Sequence, residues 1–406
     1  MSFLRKQESI FYKMKEDMKL TKILFLVITI GISSCTTTKT VTVTNNLDIE
    51  RSFETIEISK ENLGLKNSDD LSLYVIEDQN GSESIVQRED TNGDGSKDII
   101  LFQPLVKPNS STRYTVKKIP FAELPAREII CYSRFVPERT DDYAWENDKV
   151  AFRVYGPTAQ KMVENSIEGG TLSSGVDCWL KRVEYPIINK WYKKHSEKTG
   201  TYHKDTGEGL DNYHVGTSRG CGGIAAKVDS SYYISKNYTN YKIITTGPIR
   251  TQFSLEYADW DAAGNQVKES RIITLDKGNQ LSKFEISLAN INQISVGLTL
   301  HNNDGLITKN KKNGWISYWE HLDDSELGTA VIIPSPNHII RFDTYLSKTN
   351  ETKNQYLEIK VTNNKIVYYA GFGWKKAKNI QTNKQWEKYL NNFSLRLKSP
   401  LQVHIN

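Results

Sequence analysis

Apolar and polar residues alternate over most of this chain. Phe53-Glu-Thr-Ile-Glu-Ile, Leu71-Ser-Leu-Tyr-Val-Ile, Arg250-Thr-Gln-Phe-Ser-Leu-Glu-Tyr and Tyr356-Leu-Glu-Ile-Lys-Val all carry the period-two signature of a strand with one buried face. Turn signals separate them at Gly247-Pro248, Gly264-Asn265, Lys277-Gly278-Asn279 and Asn302-Asn303. From Val176 to His195 the pattern is helical. Pro186 suits a first turn, and Ile187, Ile188, Trp191 and Tyr192 recur on one side with Lys190, Lys193 and Lys194 on the other. The expectation is a mainly β chain, one large antiparallel β-sandwich with a short helical insert.

The segment Val150–Tyr155 places Val150, Phe152 and Val154 on one face, with Ala151, Arg153 and Tyr155 on the other. If the first face is core, Arg153 and Tyr155 look into a cleft or solvent. Just upstream, Arg139, Asp141, Asp142, Trp145, Glu146, Asn147 and Asp148 crowd together. That is either a substrate rim or an ion-paired turn. Between two early strands, Asp90, Asn92, Asp94 and Gly95 match the opening of a calcium loop. Position twelve is Leu101 rather than Glu, so a plain hairpin is the expected reading.

The densest stretch is Gly207–Gly223, GEGLDNYHVGTSRGCGG. Glycine at that density implies tight turns or close backbone approach. The chemistry-bearing residues there are Glu208, Asp211, Tyr213, His214, Ser218, Arg219 and Cys221. Two readings are open, an active-site loop or a glycine-rich crossover with solvated side chains.

Lys19 and Lys22 precede the apolar run Ile23–Ile32, followed by Ser33, Ser34 and Cys35. This is the order of a lipoprotein signal peptide with Cys35 as the lipidated residue, and Met18 as the natural start. The run is too short to span a bilayer. The expected organisation is therefore an extension and signal peptide (1–35), a polar tether (36–46), an N-terminal β part (47–125) and a catalytic supersandwich part (126–406). The last two are expected to form one continuous unit, lipid-anchored to a membrane in the periplasm. Residues 1–34 carry six Lys/Arg against three acids, so only about +2 of the formal +5 remains on the rest. That leaves no nucleic-acid footprint. Of the four cysteines, Cys131, Cys178 and Cys221 remain; their odd number and the lack of CxxC spacing argue against a cysteine zinc site.

There is no GxSxG, HExxH, P-loop or strand-linked GxGxxG. Elimination next to a uronate carboxylate needs a different set of groups. It takes a cation to neutralise the acid, a base for the α-proton and an acid for the leaving oxygen. Arg219 and Arg153 are the candidate carboxylate clamps, His214 the base or carboxylate-side partner, and Tyr213 or Tyr202 the second proton carrier. Tyr213 and His214 are adjacent and share one site only if the backbone bends there. Otherwise the partner comes from Tyr202, His203, Tyr155 or His321. His203 and His214, with Asp205, Glu208 or Asp211, could hold a divalent metal, but spacing alone is weak evidence and no cofactor is predicted.

The runs RTDDYAWENDKVAFRVYGP, GVDCWLKRVEYPIINKWY and YHKDTGEGLDNYHVGTSRGCGG together resemble a bacterial family long described only as a domain of unknown function. One member is the ulvan-oligosaccharide dehydratase of marine polysaccharide degraders. The resemblance covers roughly residues 45–400. It implies a mutarotase-like β-supersandwich, as in polysaccharide lyases, and anionic ulvan oligosaccharides as partners. The implied activity is loss of water from a non-reducing-end glucuronate or iduronate, leaving a 4,5-unsaturated uronyl end. Two alternatives stand beside it. One is a chain-cleaving polysaccharide lyase. The other is a non-catalytic glycan-binding lipoprotein using Trp315, Trp319 and Trp374.

Overall fold

In the computed structural model, residues 38–347 and 352–406 are described. Strand alternation closes into five antiparallel sheets among those residues. The largest runs Tyr238–Thr245, Arg250–Tyr257, Asn265–Asp276, Leu281–Ala289, Lys365–Trp374, Ser325–Ile332, Trp315–Leu322, Leu306–Asn310. A five-stranded sheet is centred on Cys221–Val228, Gln293–Thr299 and Asn354–Lys360. A second orders Gly209–Leu210, Asp177–Lys181, Ala151–Val154, Asp142–Glu146, Tyr132–Val136. One buried cluster takes side chains from all three, including Trp145, Phe152, Ile224, Val296, Phe253 and Ile273. The chain is thus a mainly β, sandwich-type protein, as the alternation foretold, and Lys39–Asn406 form one compact unit.

The two remaining sheets enclose a smaller core of Val41, Val43, Ile58, Ile76, Ile100 and Val116. Here the segment 36–46 departs from the expected tether. Lys39–Asn45 is a strand, pairing with Ser110–Lys118 on one side and Gln402–Ile405 on the other. The run KTVTVTN is itself an alternation, and Val41 and Val43 are the buried half of it. The Asp90–Asp98 segment connects the antiparallel pair Val86–Glu89 and Ile99–Phe102, as a hairpin should. Cys35 and the signal segment lie outside the described residues.

Three α-helices are present among the described residues, α1 (Pro157–Glu164), α2 (Ile188–Ser196) and α3 (Asn383–Lys398). The helical reading of Val176–His195 is corrected in its first part. Asp177–Lys181 is a strand between Ala151–Val154 and Gly209–Leu210, and the helix starts only after Pro186. The helix α3 falls where strands were expected. Its Trp386, Leu390 and Phe393 are buried at helical spacing against Trp315, Trp319 and Ile332 of the large sheet. Thr382 caps it by accepting the Gln385 N–H at 3.2 Å. No helix among the described residues is long and apolar enough to cross a membrane.

Candidate active site

The strand Ala151–Val154 sends Phe152 and Val154 into the main core. Arg153 therefore projects from the other face, where it lies in register with Asp177 and Ala144. Three carboxylates from three separate segments converge on it. Its guanidinium donates to Asp177 Oδ2 at 2.5 Å and Asp211 Oδ2 at 3.0 Å, and Asp142 Oδ2 lies 3.7 Å away. The rings of Tyr155, Trp179 and Tyr202 surround the same cation at 5.2, 5.1 and 6.0 Å. All four charged groups are buried.

One cation cannot neutralise three carboxylates out of water. Burial pushes the Asp142 carboxyl up to about 6, against the pull of Arg153 and Arg139. Burial and then the Asp211 charge push Asp177 up as well, and burial does the same to Asp211. The cluster thus keeps protons at pH values where free aspartate has lost them. Asp142 Oδ1 and Arg153 Nε are buried with no protein hydrogen-bond partner. Unsatisfied polar atoms beside shifted carboxyls are the pattern of a working site.

Toward solvent the cluster is roofed by Tyr202, Arg139, His195 and His203. Arg139 Nε donates to the Tyr202 hydroxyl at 3.3 Å. Tyr202 packs its ring 4.7 Å from His195 and 4.5 Å from His203. Burial lowers the basicity of His195, and the nearby Arg139, His203 and Arg153 charges add to that. His203 Nδ1 faces the Asp211 carbonyl oxygen at 2.9 Å. A carbonyl only accepts, so Nδ1 carries a proton, and Nε2 is the ring nitrogen not engaged by that bond. The His203 side chain is 53% exposed. An imidazole and a guanidinium thus meet around the buried Tyr202 phenol, above a floor of carboxyls whose proton affinity is raised.

The glycine-rich loop is positioned by its backbone. Asp205 accepts the N–H groups of Gly207 and Gly209 at 2.8 and 3.1 Å and pairs with Arg182 at 3.1 Å. Gly209 has φ +117°, and a Cβ there would lie 1.9 Å from the Leu180 carbonyl oxygen. The loop therefore lies directly on the strand that carries Asp177.

Of the residues singled out in the sequence, Tyr202, His203, Arg139, Arg153 and Tyr155 come together here. Arg153 faces ligandless carboxylates rather than solvent, so it serves the site from below instead of as an outer clamp. Arg219 is corrected. It is buried, donating to Ser174 Oγ and the carbonyls of Thr217 and Ile224 at 3.0, 3.1 and 3.4 Å, and burial brings its guanidinium down to about 10. It ties the loop to the fold and reaches no substrate. Trp145 is corrected likewise, being fully buried with its indole N–H on Ser282 Oγ at 2.9 Å. Trp315, Trp319 and Trp374 are core residues, so they offer no sugar platform.

Tyr213 and His214 do face opposite ways, Tyr213 into the core and His214 to the surface. His214 is held by a residue that sequence reasoning passed over. His301 Nε2 lies 3.0 Å from the His214 carbonyl oxygen, and His301 Nδ1 lies 2.8 and 2.9 Å from the Glu320 oxygens. Both ring nitrogens face acceptors, an arrangement that favours the doubly protonated ring. Burial opposes that charge, and Glu320 more than restores it. His301 also adopts φ +41°, the left-handed region that a non-glycine residue seldom occupies. His321 sits apart from the Arg153 cluster, lining a cavity of about 340 Å³ with Arg182, Lys375, Lys376 and Lys378. Among the described residues no group of three or more His, Cys, Asp or Glu is arranged to hold a metal ion.

The family described as "Domain of unknown function (DUF4861)" matches residues 43–403. The chain is 52% identical over 368 residues to "Uncharacterized protein P7" of Formosa agariphila, covering 90% of this chain and 93% of that one. The chain belongs to the DUF4861 family. Two solved structures from Enterococcus faecalis align over 91% of the chain at 9% identity. They are a protein in glycosyl hydrolase family 38 (TM-score 0.47) and an alpha-mannosidase (TM-score 0.44). The chain spans about half of each, 47% and 46%.

Proposed function

We propose that this protein is a carbohydrate-active enzyme, a dehydratase acting on the non-reducing-end uronate of anionic oligosaccharides such as those of ulvan. The observation that carries the proposal is the grouping of Arg139, His195 and the half-exposed His203 around the buried Tyr202 ring, over the Asp142–Arg153–Asp177–Asp211 floor. The three sequence runs that resemble the ulvan-oligosaccharide dehydratase family supply most of these residues. In this reading Arg139 receives the uronate carboxylate, which acidifies the C5 proton. His203, half-exposed and held through Nδ1 by the Asp211 carbonyl, takes that proton on Nε2; His195, whose basicity burial and then its cationic neighbours lower, is next to it. The Tyr202 hydroxyl protonates the C4 oxygen as the C4–O bond breaks. The C5–H electron pair becomes the C4=C5 double bond, water leaves, and nothing is oxidised or reduced. The floor of partly protonated aspartates keeps the Arg153 region from repelling an anionic sugar. The enzyme acts at a periplasmic membrane face, tethered through Cys35.

Incubation with ulvan oligosaccharides tests this. The expected result is the ultraviolet absorbance of a conjugated uronate with a mass loss of one water and no shortening of chains. Absorbance with shortened chains would transfer the same residues to a polysaccharide lyase. Binding without any new absorbance would leave only a glycan-binding protein.

A further inference from the structure

Away from the Arg153 cluster, two cavities meet at one pair of residues. The first, of about 280 Å³, lies between Phe53, Thr55, Thr274, Asn279, Tyr369 and Phe393. The second, of about 410 Å³, lies between Ser52, Gly278, Gln280, Tyr389 and Asn392. Phe53 and Arg396 line both. The double cleft thus runs between the approach to the first small sheet, the Asp276–Leu281 turn and the last two turns of α3.

The charges around it are already paired, apart from Arg396 and the exposed Glu50 at the rim of the second cavity. Arg250 forks onto Asp276 at 2.7 and 2.9 Å. Glu54 is taken by Arg51, and Lys149 by Asp148 and Glu184 at 3.2 and 2.7 Å. Arg396 has no carboxylate within ion-pair distance among the described residues, and its Nε is buried without a hydrogen-bond partner. Its guanidinium carbon lies 5.2 Å from the centre of the Phe393 ring, and its polar neighbour is the Tyr389 hydroxyl, which leaves it without an anionic partner. Across the cleft Phe53 is 41% exposed. It lies against Gly278, where a Cβ would come within 2.1 Å of the ring.

We infer that this double cleft is a second saccharide site, taking an acidic sugar whose carboxylate or sulfate is received by Arg396. An unpaired guanidinium fork matches the planar or trigonal face of an oxyanion. The rings of Phe53 and Phe393 supply the apolar surface against which a sugar ring packs. Asn279, Thr55 and Thr274 supply hydroxyl and amide partners. Each chamber is near or below the lower end of ligand-site volumes, about 300 Å³, so each holds a sugar unit rather than a folded peptide. A purely apolar ligand would leave the guanidinium unanswered, and a nucleic acid would require more cations than this one.

The site is tested by titration calorimetry in an Arg139→Gln background, so that the active site proposed above adds no heat. Glucuronate is the probe, with glucose as the neutral control and inorganic sulfate as competitor. Glucuronate is expected to bind, glucose not to bind, and sulfate to compete. Arg396→Gln is expected to weaken glucuronate binding at least tenfold, and Phe53→Ala several-fold. Both side chains are partly exposed, so both variants should melt as the parent does, and Arg396→Gln alone should leave turnover unchanged. The inference is overturned if glucuronate gives no heat, or if both variants titrate like their parent. Neither result bears on the dehydratase reading, which stands or falls with Arg139, Tyr202 and His203.

Discussion

At the scale of single residues, the site poses a choice between two histidines eleven positions apart. His203 shares its surroundings with Tyr202, Arg139 and the carboxylate floor, whereas His214 offers its backbone carbonyl to His301. His203→Ala and Tyr202→Phe are each expected to cut kcat by about 10²–10⁴, the usual worth of a positioned proton carrier. His214→Ala should stay within about tenfold of the parent, a loss below the range of a proton carrier. Steady-state turnover on uronate-ended oligosaccharides decides between them. The floor makes a separate prediction. The Asp142 carboxyl sits at about 6 against an ordinary value of 3.8, chiefly through burial. A carboxyl raised in the folded state holds its proton longer there than in the unfolded chain, so stability falls as pH rises from about 4 through 6. At about 1.4 kcal/mol per unit the loss is roughly 3 kcal/mol. Thermal melts of Asp142→Asn across that window should show a flatter profile than the parent, with the remaining slope left to Asp177 and Asp211.

At the scale of elements, the short helix α2 depends on a charge it does not contain. Glu146, on the strand Asp142–Glu146, accepts the N–H groups of Ile187 and Ile188 at 2.9 Å. It also takes the Lys181 ammonium at 2.7 Å, and both side chains are fully buried. Glu146→Ala therefore leaves a buried ammonium and two free N–H groups. The expected cost is about 3–5 kcal/mol, read by urea unfolding, with Lys181→Met on the same background recovering part of it. This arrangement also shows what the sequence could and could not reveal. The alternation around Arg153 separated its two faces correctly, but the face taken for cleft or solvent is buried too, with Ala151 in the core under α2 and Arg153 among its carboxylates. The helical signal of Val176–His195 comes from Ile187, Ile188, Trp191 and Tyr192, all after Pro186, so Asp177–Lys181 carries none of its own and is free to pair as a strand. The helix α3 was missed although Trp386, Leu390 and Phe393 announce it; Asn391 and Asn392 between them imitate a turn. The stretch Gly207–Gly223 stands out in the sequence as a candidate loop, since glycine and chemistry-bearing side chains coincide there. That Asp142, Asp177 and Asp211 meet on one arginine was not legible, because only the sheet register brings those three segments together.

At the scale of the whole molecule, the small core of the first residues is held to the large sandwich by side-chain hydrogen bonds and a shared strand. Gln87 supplies four of the hydrogen bonds. Its carbonyl oxygen accepts the N–H groups of Ile249 and Arg250 at 3.0 and 2.8 Å, and its amide donates to the Arg250 carbonyl and Thr245 Oγ1 at 3.0 Å. Arg51 reaches the Ser399 carbonyl at 2.8 Å, and the strand Gln402–Ile405 completes the sheet begun by Lys39–Asn45. The two ends of the compact unit are thus closed on each other, so the small sheets cannot open without losing the final strand as well. The wild-type protein is expected to melt in one calorimetric transition for that reason. Gln87→Ala strands two buried N–H groups and a carbonyl, at about 1–3 kcal/mol each. None of that loss falls on the cluster around Arg153. The small core should then melt ahead of the sandwich, giving a low-temperature shoulder in the calorimetric trace. Turnover measured below that shoulder should remain that of the parent, because the residues proposed to act on the sugar all belong to the part that is still folded.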